Sequence, residues 1–372
     1  MTTPFSSLPG AVGDPVPLHY GSPVLEQRAL EAGNAIVDLS HRGIVTVRGV
    51  DRLSWLNSMT SQLLLGLRPG ESVETLLLDP NGRIEHAMRL VDDGETAWLL
   101  VDEGSAEPLT AYLNRMRFAL RVEVADVSSE FATALAFDGG SAVPALAALS
   151  PVATWVDPWA ETVRGGVQYA RGEHPGSGWS AVQFVFAREA YAAIVDLVSP
   201  SFEPVGTGVI HPAGLLALEA LEIRAWRPSR AADIDDRAIP HEFDWLRTAV
   251  HLDKGCYRGQ ETVAKVHNLG HPPRRLALLH LDGFGGELPV PGALVYPAGE
   301  SGAEGARPVG RVTRAALHHE WGGIALALLK RSVAEDAPLE VQLGDGIAAA
   351  AQETIVPADA GATRDIPRLK RI

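Results

Sequence analysis

The sequence predicts an α+β region followed by a small all-β barrel or sandwich. The first observation is a unit of strand candidates and an amphipathic helix beginning at Ser105, which strand 181–186 and helix 188–198 repeat more weakly. Two such units favour duplicated α+β modules over a parallel βαβ series. The second observation is the stretch 274–350, where Gly and Pro separate short alternating segments, as in small β-barrels.

Local signals support the elements of the first unit. The segment 44–48 alternates like a strand. Asp51 is predicted to cap a helix that places four apolar residues on one face: Leu53, Leu56, Met59 and Leu63. The Asn-Gly pair in the turn at 79–82 accepts positive φ, so this turn joins the strand candidates 73–78 and 84–91 in a hairpin.

Composition divides the chain into four parts. We expect an irregular arm at 1–25, an α+β region at 26–271, a barrel at 272–352 and a loose tail at 353–372. The main boundary falls at Pro272-Pro273, because the pattern of the chain changes after it. Within the α+β region a helix is predicted over 212–225, with Pro212 in its first turn, where a missing N–H costs little.

Charge and cysteine content exclude several classes of function. Of 372 residues, 46 are acidic and 32 basic, giving a formal net charge of −14. Non-specific binding to nucleic acid or to an anionic membrane needs a net basic surface, so neither is expected. The start of the chain lacks a basic and an apolar targeting region, which predicts a cytoplasmic protein. The single cysteine, Cys256, excludes an intrachain disulfide and a multi-cysteine metal site.

The segment around Cys256 is the most informative in the chain. Lys254 and Arg258 lie two residues on either side of Cys256, and in an extended segment both share its face and favour the reactive thiolate. Gly255 and Gly259 indicate that the backbone turns or approaches another segment closely. The competing interpretation is a buried cysteine that acts as a small apolar residue.

This segment resembles the K-G-C-[FY]-x-G-Q-E string of the folate-binding YgfZ family, which is related to the aminomethyltransferase, or T-protein, of the glycine cleavage system. The matching residues are Lys254, Gly255, Cys256, Tyr257, Arg258, Gly259, Gln260 and Glu261. The segments 38–43, 67–82, 309–313 and 324–327 resemble further parts of these families. The resemblance covers about residues 25–335 and implies a GcvT-like fold, in which intertwined ferredoxin-like modules surround a central cavity and a small β-barrel packs onto them.

The resemblance also implies a function. It implies binding of tetrahydrofolate or a one-carbon derivative, and support of iron–sulfur cluster assembly or repair, including that of an enzyme that thiolates tRNA. Cys256 is then the functional thiol, with the other residues of the string around it. The implied partners are folate and iron–sulfur proteins or their assembly factors.

The chain departs from the T-protein at three places, one of which is Cys256, where T-proteins have an aspartate. T-proteins carry two aspartates after the hairpin glycines, where this chain has Glu85 and His86. They also use a helical glutamate to bind the pterin ring, where this chain has Arg224. Because reaction geometry tolerates little displacement, we expect no glycine-cleavage transferase activity.

Nine residues are candidates for contacts with folate, each with an ordinary structural role as the alternative: His41, Arg42, Glu85, His86, Arg224, Trp226, Arg227, Asp235 and Glu242. Two other functions stay open: an active folate-dependent one-carbon transferase or demethylase, and a non-catalytic interaction module that binds no folate. Cys256, His267 and His271 have a spacing that could bind zinc, but a metal site is not expected, because Gly270 and Pro272-Pro273 prevent a helix from aligning the two histidines as i and i+4.

Overall fold

The computed structural model describes residues 3–201, 208–282 and 286–363. Within these ranges the strands form two five-stranded sheets and a closed six-stranded barrel. The predicted α+β region with a C-terminal β-barrel is therefore confirmed. Among the described residues, none of the helices has the length and apolar content that a membrane crossing requires.

The first sheet has the strand order β10-β1-β7-β9-β8. Its strands are β1 (Ala35–Asp38), β7 (Phe131–Phe137), β8 (Ala153–Val156), β9 (Ala181–Ala187) and β10 (His211–Ala213). The pair β1–β10 is parallel and the other pairs are antiparallel. One face of this sheet packs against the N-terminal arm, because Phe5 and Tyr20 belong to its apolar cluster.

The second sheet has the order β3-β4-β5-β2-β6. Its strands are β2 (Gly43–Arg48), β3 (Ser72–Leu78), β4 (Ile84–Asp92), β5 (Thr96–Val101) and β6 (Glu123–Asp126). The predicted hairpin turn is present, and the Asp79 carboxylate accepts the backbone N–H groups of Asn81 and Arg83 at 2.7 and 2.8 Å. The predicted helix after Ser105 is also present, and it buries Leu109 and Leu113 against this sheet.

The helices connect and cover these sheets. They are α1 (Pro23–Glu31), α2 (Arg52–Met59), α3 (Ala106–Met116), α4 (Ala142–Ala148), α5 (Ala192–Val195), α6 (Leu215–Arg224), α7 (Arg230–Asp233), α8 (Leu246–Ala249) and α9 (Gln260–Leu269). Helix α6 runs between the first sheet and the barrel, so its two sides face different parts of the molecule. The central apolar cluster contains residues of both sheets, of α6 and of the barrel.

The barrel closes in the order β11-β14-β13-β12-β15-β16. Its strands are β11 (Arg274–Leu281), β12 (Leu294–Pro297), β13 (Gly310–His318), β14 (Gly322–Lys330), β15 (Leu339–Gln342) and β16 (Ile347–Thr354). Charged side chains join it to the α+β region. Arg314 donates to Glu222 at 2.6 Å and to Asp233 at 3.2 Å, and all three side chains are largely buried.

Four predictions about local structure are wrong. Asp51 does not cap α2 with its side chain, because its carboxylate binds Arg121, and Leu63 lies beyond the helix. Pro212 belongs to β10, since pairing with β1 outweighs its preference for a helix start. The helix expected over 188–198 is present only in part, as a 3-10 helix over Arg188–Ala190 and as α5. The tail is not loose throughout: β16 extends to residue 354, and Ile355, Val356 and Ala360 are buried in the central cluster.

Candidate functional site

The cysteine-bearing segment lies between α8 and α9 and is anchored at Lys254. The ammonium of Lys254 donates to the carbonyl oxygens of Asn57, Thr60 and Gln62 at 2.5, 2.6 and 2.8 Å. Burial lowers the pKa of Lys254 to about 8. All three donors of the ammonium are used on backbone at the end of α2, so Lys254 fixes the start of the segment.

The other end of the segment is fixed at Gly259, immediately before α9. Gly259 has φ +82°, and a Cβ there would lie 2.6 Å from the carbonyl oxygen of Asp79. Gly82 has φ +77°, and a Cβ there would lie 2.9 Å from Cβ of Thr262. The hairpin turn and the start of α9 are thus pressed together, and only glycine fits these approaches. Gly255, by contrast, has open space around its Cα.

Arg258 joins the segment to the second sheet and to α3. Its Nη1 lies 2.6 Å from Glu85 Oε2 and 3.1 Å from the Tyr112 hydroxyl, and its Nη2 lies 3.4 Å from Glu85 Oε1. The guanidinium also lies over the Tyr112 ring, 5.3 Å from its centroid. Glu85 therefore contacts the motif itself, which the sequence analysis did not anticipate.

Cys256 is exposed, so the interpretation as a buried apolar residue is wrong. The two cations expected to favour its thiolate have other partners, since Lys254 binds backbone carbonyls and Arg258 binds Glu85. Tyr257 is buried, with the Lys254 ammonium 5.1 Å from its ring centroid, and Gln260 donates to the Lys254 carbonyl at 3.3 Å. Glu261 is exposed in the first turn of α9. The segment therefore presents a thiol from an ordered backbone.

A cleft of 660 Å³ opens beside this segment, between the hairpin and α3. Its wall includes seven polar or charged side chains that bear on ligand binding: Glu85, His86, Glu103, Ser105, Tyr112, Arg115 and Arg230. The last five were not predicted, because they come from α3, the residues just before it and α7, and carry no local motif. Volumes of about 300–1,000 Å³ are typical of small-molecule sites.

Arg230 and His86 are two of the polar groups that line the cleft. Arg230 donates through Nε to the Glu85 carbonyl at 3.1 Å, and its terminal nitrogens make no hydrogen bond to the described residues. Burial, and then the nearby Arg230, lowers the pKa of His86 to about 4, so this imidazole is neutral at pH 7. Its buried Nδ1 has no partner among the described residues. The cleft thus offers a cation and an unsatisfied neutral imidazole to a ligand.

His41 and Arg42 lie next to this cleft. His41 lines a 250 Å³ pocket that shares Glu103 with the cleft, and its buried Nδ1 lacks a partner among the described residues. Burial, and then Arg42, lowers the pKa of His41 to about 4. Burial and the neighbouring Arg89 lower the pKa of Arg42 to about 10, and the described residues offer its guanidinium no hydrogen bond.

Three other folate candidates have structural contacts instead. Arg224 points to the barrel, where its guanidinium lies over the Trp321 ring, 4.6 Å from the centroid. Trp226 is a core residue that meets His174 edge-on at 5.1 Å. Arg227 is buried and donates to Glu74 at 2.6 Å and to Asp157 at 2.9 Å. These contacts give the three side chains structural partners within the protein, and their folate roles stay predictions.

Asp235 and Glu242 both bind Arg274 on the first barrel strand, and their folate roles also stay predictions. Arg274 donates to Asp235 at 2.6 Å and to Glu242 at 2.8 Å, and Arg311 adds a second contact to Asp235 at 3.0 Å. Burial opposes ionisation of Asp235, but the hydrogen bonds from Arg274 hold the pKa of this carboxyl well below its usual range. The two acids join the α+β region to the barrel.

Metal binding by the protein itself receives no support. Within 3–201, 208–282 and 286–363, no cluster of three or more His, Cys, Asp and Glu side chains is arranged to hold a metal ion. In particular, His267 contacts the Tyr169 hydroxyl at 3.0 Å and His271 contacts the Ala360 carbonyl at 2.8 Å. Neither histidine is positioned with Cys256.

Comparisons with known proteins agree with this architecture. Residues 17–171 match the GCVT N-terminal domain. The crystal structure of the glycine cleavage system aminomethyltransferase T from Bartonella henselae superposes with a TM-score of 0.70 at 16% identity, over 95% of each chain. The aminomethyltransferase of Geobacillus kaustophilus is 28% identical over 86% of this chain and 85% of its own length.

Two further relatives differ in description. A chloroplastic protein of Arabidopsis thaliana, named as a transferase, is 27% identical over 68% of this chain, and the match spans only 57% of that relative. A mitochondrial IBA57 homologue of Mycosarcoma maydis, named as an iron–sulfur cluster assembly factor, is 24% identical over 66% of this chain and 56% of its own length. Together these matches show that the chain has the fold of this aminomethyltransferase and contains a region similar to the GCVT N-terminal domain.

Proposed function

We propose that this protein binds tetrahydrofolate or a one-carbon derivative in the cleft, and supports iron–sulfur cluster assembly or repair through Cys256. The observation that carries the proposal is the placement of the sole cysteine. It is exposed, it lies between two fixed points of the backbone at Lys254 and Gly259, and its neighbour Arg258 contacts the cleft wall. The assembly-factor relative supports the iron–sulfur part of the proposal.

The residues of the cleft fit a folate. The Glu85 carboxylate can accept two parallel N–H bonds from a pterin edge, since it already holds a guanidinium in that manner. Arg230 supplies a cation for the carboxylates of the glutamate tail. The unsatisfied Nδ1 of His86 supplies a further hydrogen-bonding atom. A ligand that binds this atom removes the free-energy cost of a buried polar atom without a hydrogen bond. The aminomethyltransferase relatives support folate as the ligand class.

The same residues argue against glycine-cleavage transfer. Where the T-protein has two carboxylates, this chain has a carboxylate engaged by Arg258 and an imidazole that is neutral at pH 7. A neutral imidazole stabilises a developing cation less than a carboxylate does. Formation of methylene-tetrahydrofolate from an aminomethylated lipoyl carrier would overturn this argument and favour the transferase function.

The Cys256 thiol can bind an iron–sulfur cluster transiently while the cluster is assembled or transferred. A thiolate binds iron in clusters, and it also forms mixed disulfides with other thiols. Because Cys256 is the only cysteine of the chain, it contributes one sulfur ligand. The remaining ligands come from a second protein or from a small thiol, so the client or an assembly factor approaches the exposed segment.

Complementation tests the function of the thiol. Cells that lack the gene are expected to lose activity of iron–sulfur enzymes, and the wild-type chain is expected to restore it. Cys256→Ala is expected to fail, whereas the control Ser54→Ala, at another exposed position, is expected to restore activity fully. Full restoration by Cys256→Ala would contradict the proposal. A separate titration with tetrahydrofolate tests ligand binding, and absence of a saturable signal would favour an interaction module without folate.

A further inference from the structure

We propose that Arg258 is a positioning residue that tethers the Cys256 segment to the cleft wall, so that a ligand in the cleft controls the reactivity of the exposed thiol. The identity of the ligand rests on the proposed function. The tether does not, because it is formed entirely by residues of this chain.

The tether has a defined geometry. Arg258 is the second residue after Cys256, and its guanidinium binds both oxygens of Glu85 and the Tyr112 hydroxyl. Glu85 lies on β4 and Tyr112 on α3, on two sides of the cleft, and both line it. One side chain of the cysteine segment thus holds two elements of the binding site.

Exposure distinguishes this contact from the anchors at Lys254 and Tyr257. The Lys254 ammonium and the Tyr257 ring are buried, so a ligand does not reach them without unfolding the segment. The side chains of Arg258 and Glu85 are 29% and 37% exposed. An exposed ion pair is weak, so a ligand can replace it. Arg258 is therefore the anchor that responds to the cleft.

The chemistry of Glu85 determines how a ligand in the cleft affects Arg258. A ligand with two adjacent N–H donors, such as a pterin edge, binds a carboxylate in the same bidentate manner as a guanidinium. Such a ligand competes with Arg258 for Glu85. When Arg258 is released, the segment loses its contact with the cleft wall, and the exposed thiol is held less firmly and reacts faster.

A direct charge effect of Arg258 on the thiol makes the opposite prediction. A nearby cation favours the thiolate, which is the reactive form, so its removal would slow the reaction of Cys256 with an alkylating reagent. Removal of a tether accelerates that reaction. The sign of the change therefore separates the two roles of Arg258.

Alkylation by iodoacetamide measures this sign, because Cys256 is the only thiol of the chain. Without ligand, Arg258→Gln is expected to raise the alkylation rate about threefold, which is the scale of an exposed ion pair. Arg258→Lys, which keeps the charge but not the bidentate geometry, is expected to give an intermediate rate. The matched control is Arg68→Gln, which breaks another exposed arginine–glutamate pair and leaves the rate unchanged.

Saturating tetrahydrofolate completes the test. It is expected to raise the wild-type rate about threefold and to leave the rate of Arg258→Gln unchanged. An unchanged or lower basal rate in Arg258→Gln overturns the tether. An unchanged wild-type rate at a ligand concentration that saturates a separate binding titration overturns the control by ligand. If the titration shows no binding, the proposed function fails, while the basal rates still decide the tether.

Discussion

Gly259 and Gly82 face each other across the junction between the cysteine-bearing segment and the hairpin turn. A Cβ at Gly259 would lie 3.0 Å from Cα of Gly82, and both residues have positive φ. The pair fixes the distance between the thiol and the cleft, because Gly259 belongs to the cysteine-bearing segment and Gly82 to the hairpin turn beside the cleft. Neither position tolerates a side chain without movement of the backbone.

Gly259→Ala is expected to lower the free energy of unfolding by about 2 kcal/mol or more. The reason is that alanine at a positive φ costs about 1–2 kcal/mol, and the contact with the Asp79 carbonyl adds to it. Urea denaturation checks the value. Gly255→Ala is the matched control, since nothing lies within 4 Å of its added Cβ, and it is expected to be near neutral. Equal losses in the two variants would contradict the explanation.

Arg274→Met is expected to lower the free energy of unfolding by about 3–5 kcal/mol, because it leaves the fully buried Glu242 without a cation. Thermal unfolding checks this, and the loss should appear as an earlier separation of the barrel from the α+β region. Arg171→Gln serves as the control, because it breaks a surface pair with Asp359 and should cost less than about 1 kcal/mol. A neutral Arg274→Met would show that the junction depends on apolar packing alone.

Arg224→Gln is expected to leave the affinity for tetrahydrofolate within about twofold of wild type, because Arg224 faces Trp321 and the barrel. Glu85→Gln is expected to weaken binding about tenfold, since it removes half of a charged bidentate acceptor from the cleft wall. Isothermal titration calorimetry with tetrahydrofolate measures the affinity of both variants. A large loss of affinity in Arg224→Gln alone would indicate that the pterin binds at α6 and not in the cleft.

Acidification is expected to destabilise the protein through buried histidines. Burial lowers the pKa of His241 to about 3, from an ordinary value of about 6.5. Between these values the unfolded chain binds the proton and the folded chain does not, so the stability contributed by His241 is complete above pH 6.5 and falls as the pH falls. The expected slope from this residue is about 1.4 kcal/mol per pH unit well below pH 6.5.

Urea denaturation between pH 6.5 and 4.5 measures that slope. His241→Gln retains an N–H donor for the Val263 carbonyl and removes the titrating group, so its slope should be shallower than that of wild type. Parallel slopes for wild type and His241→Gln would rule out this residue as a source of acid sensitivity.

Sequence patterns predicted those turns, helices and strands whose formation depends on residues close together in the sequence. The hairpin turn at 79–82 forms because Asp79 accepts the N–H groups of its own turn, and the helix after Ser105 forms around its own apolar face. The alternating barrel strands and the cysteine motif were recognisable for the same reason: their signals lie within a few residues. The exposure of Cys256, however, was not decided by its neighbours in the chain.

The tertiary structure decided which charged side chains belong to the site. Arg258 and Glu85 are 173 positions apart in sequence, and only the fold brings them together. Arg230 and Tyr112 line the cleft although no sequence motif predicts this. Asp235, Glu242 and Arg224 contact barrel residues. The sequence by itself determined the fold class and the motif, because those follow from local periodicity and residue type. The partner of each buried or half-buried charge depends on packing between distant segments, so only the folded chain determined it.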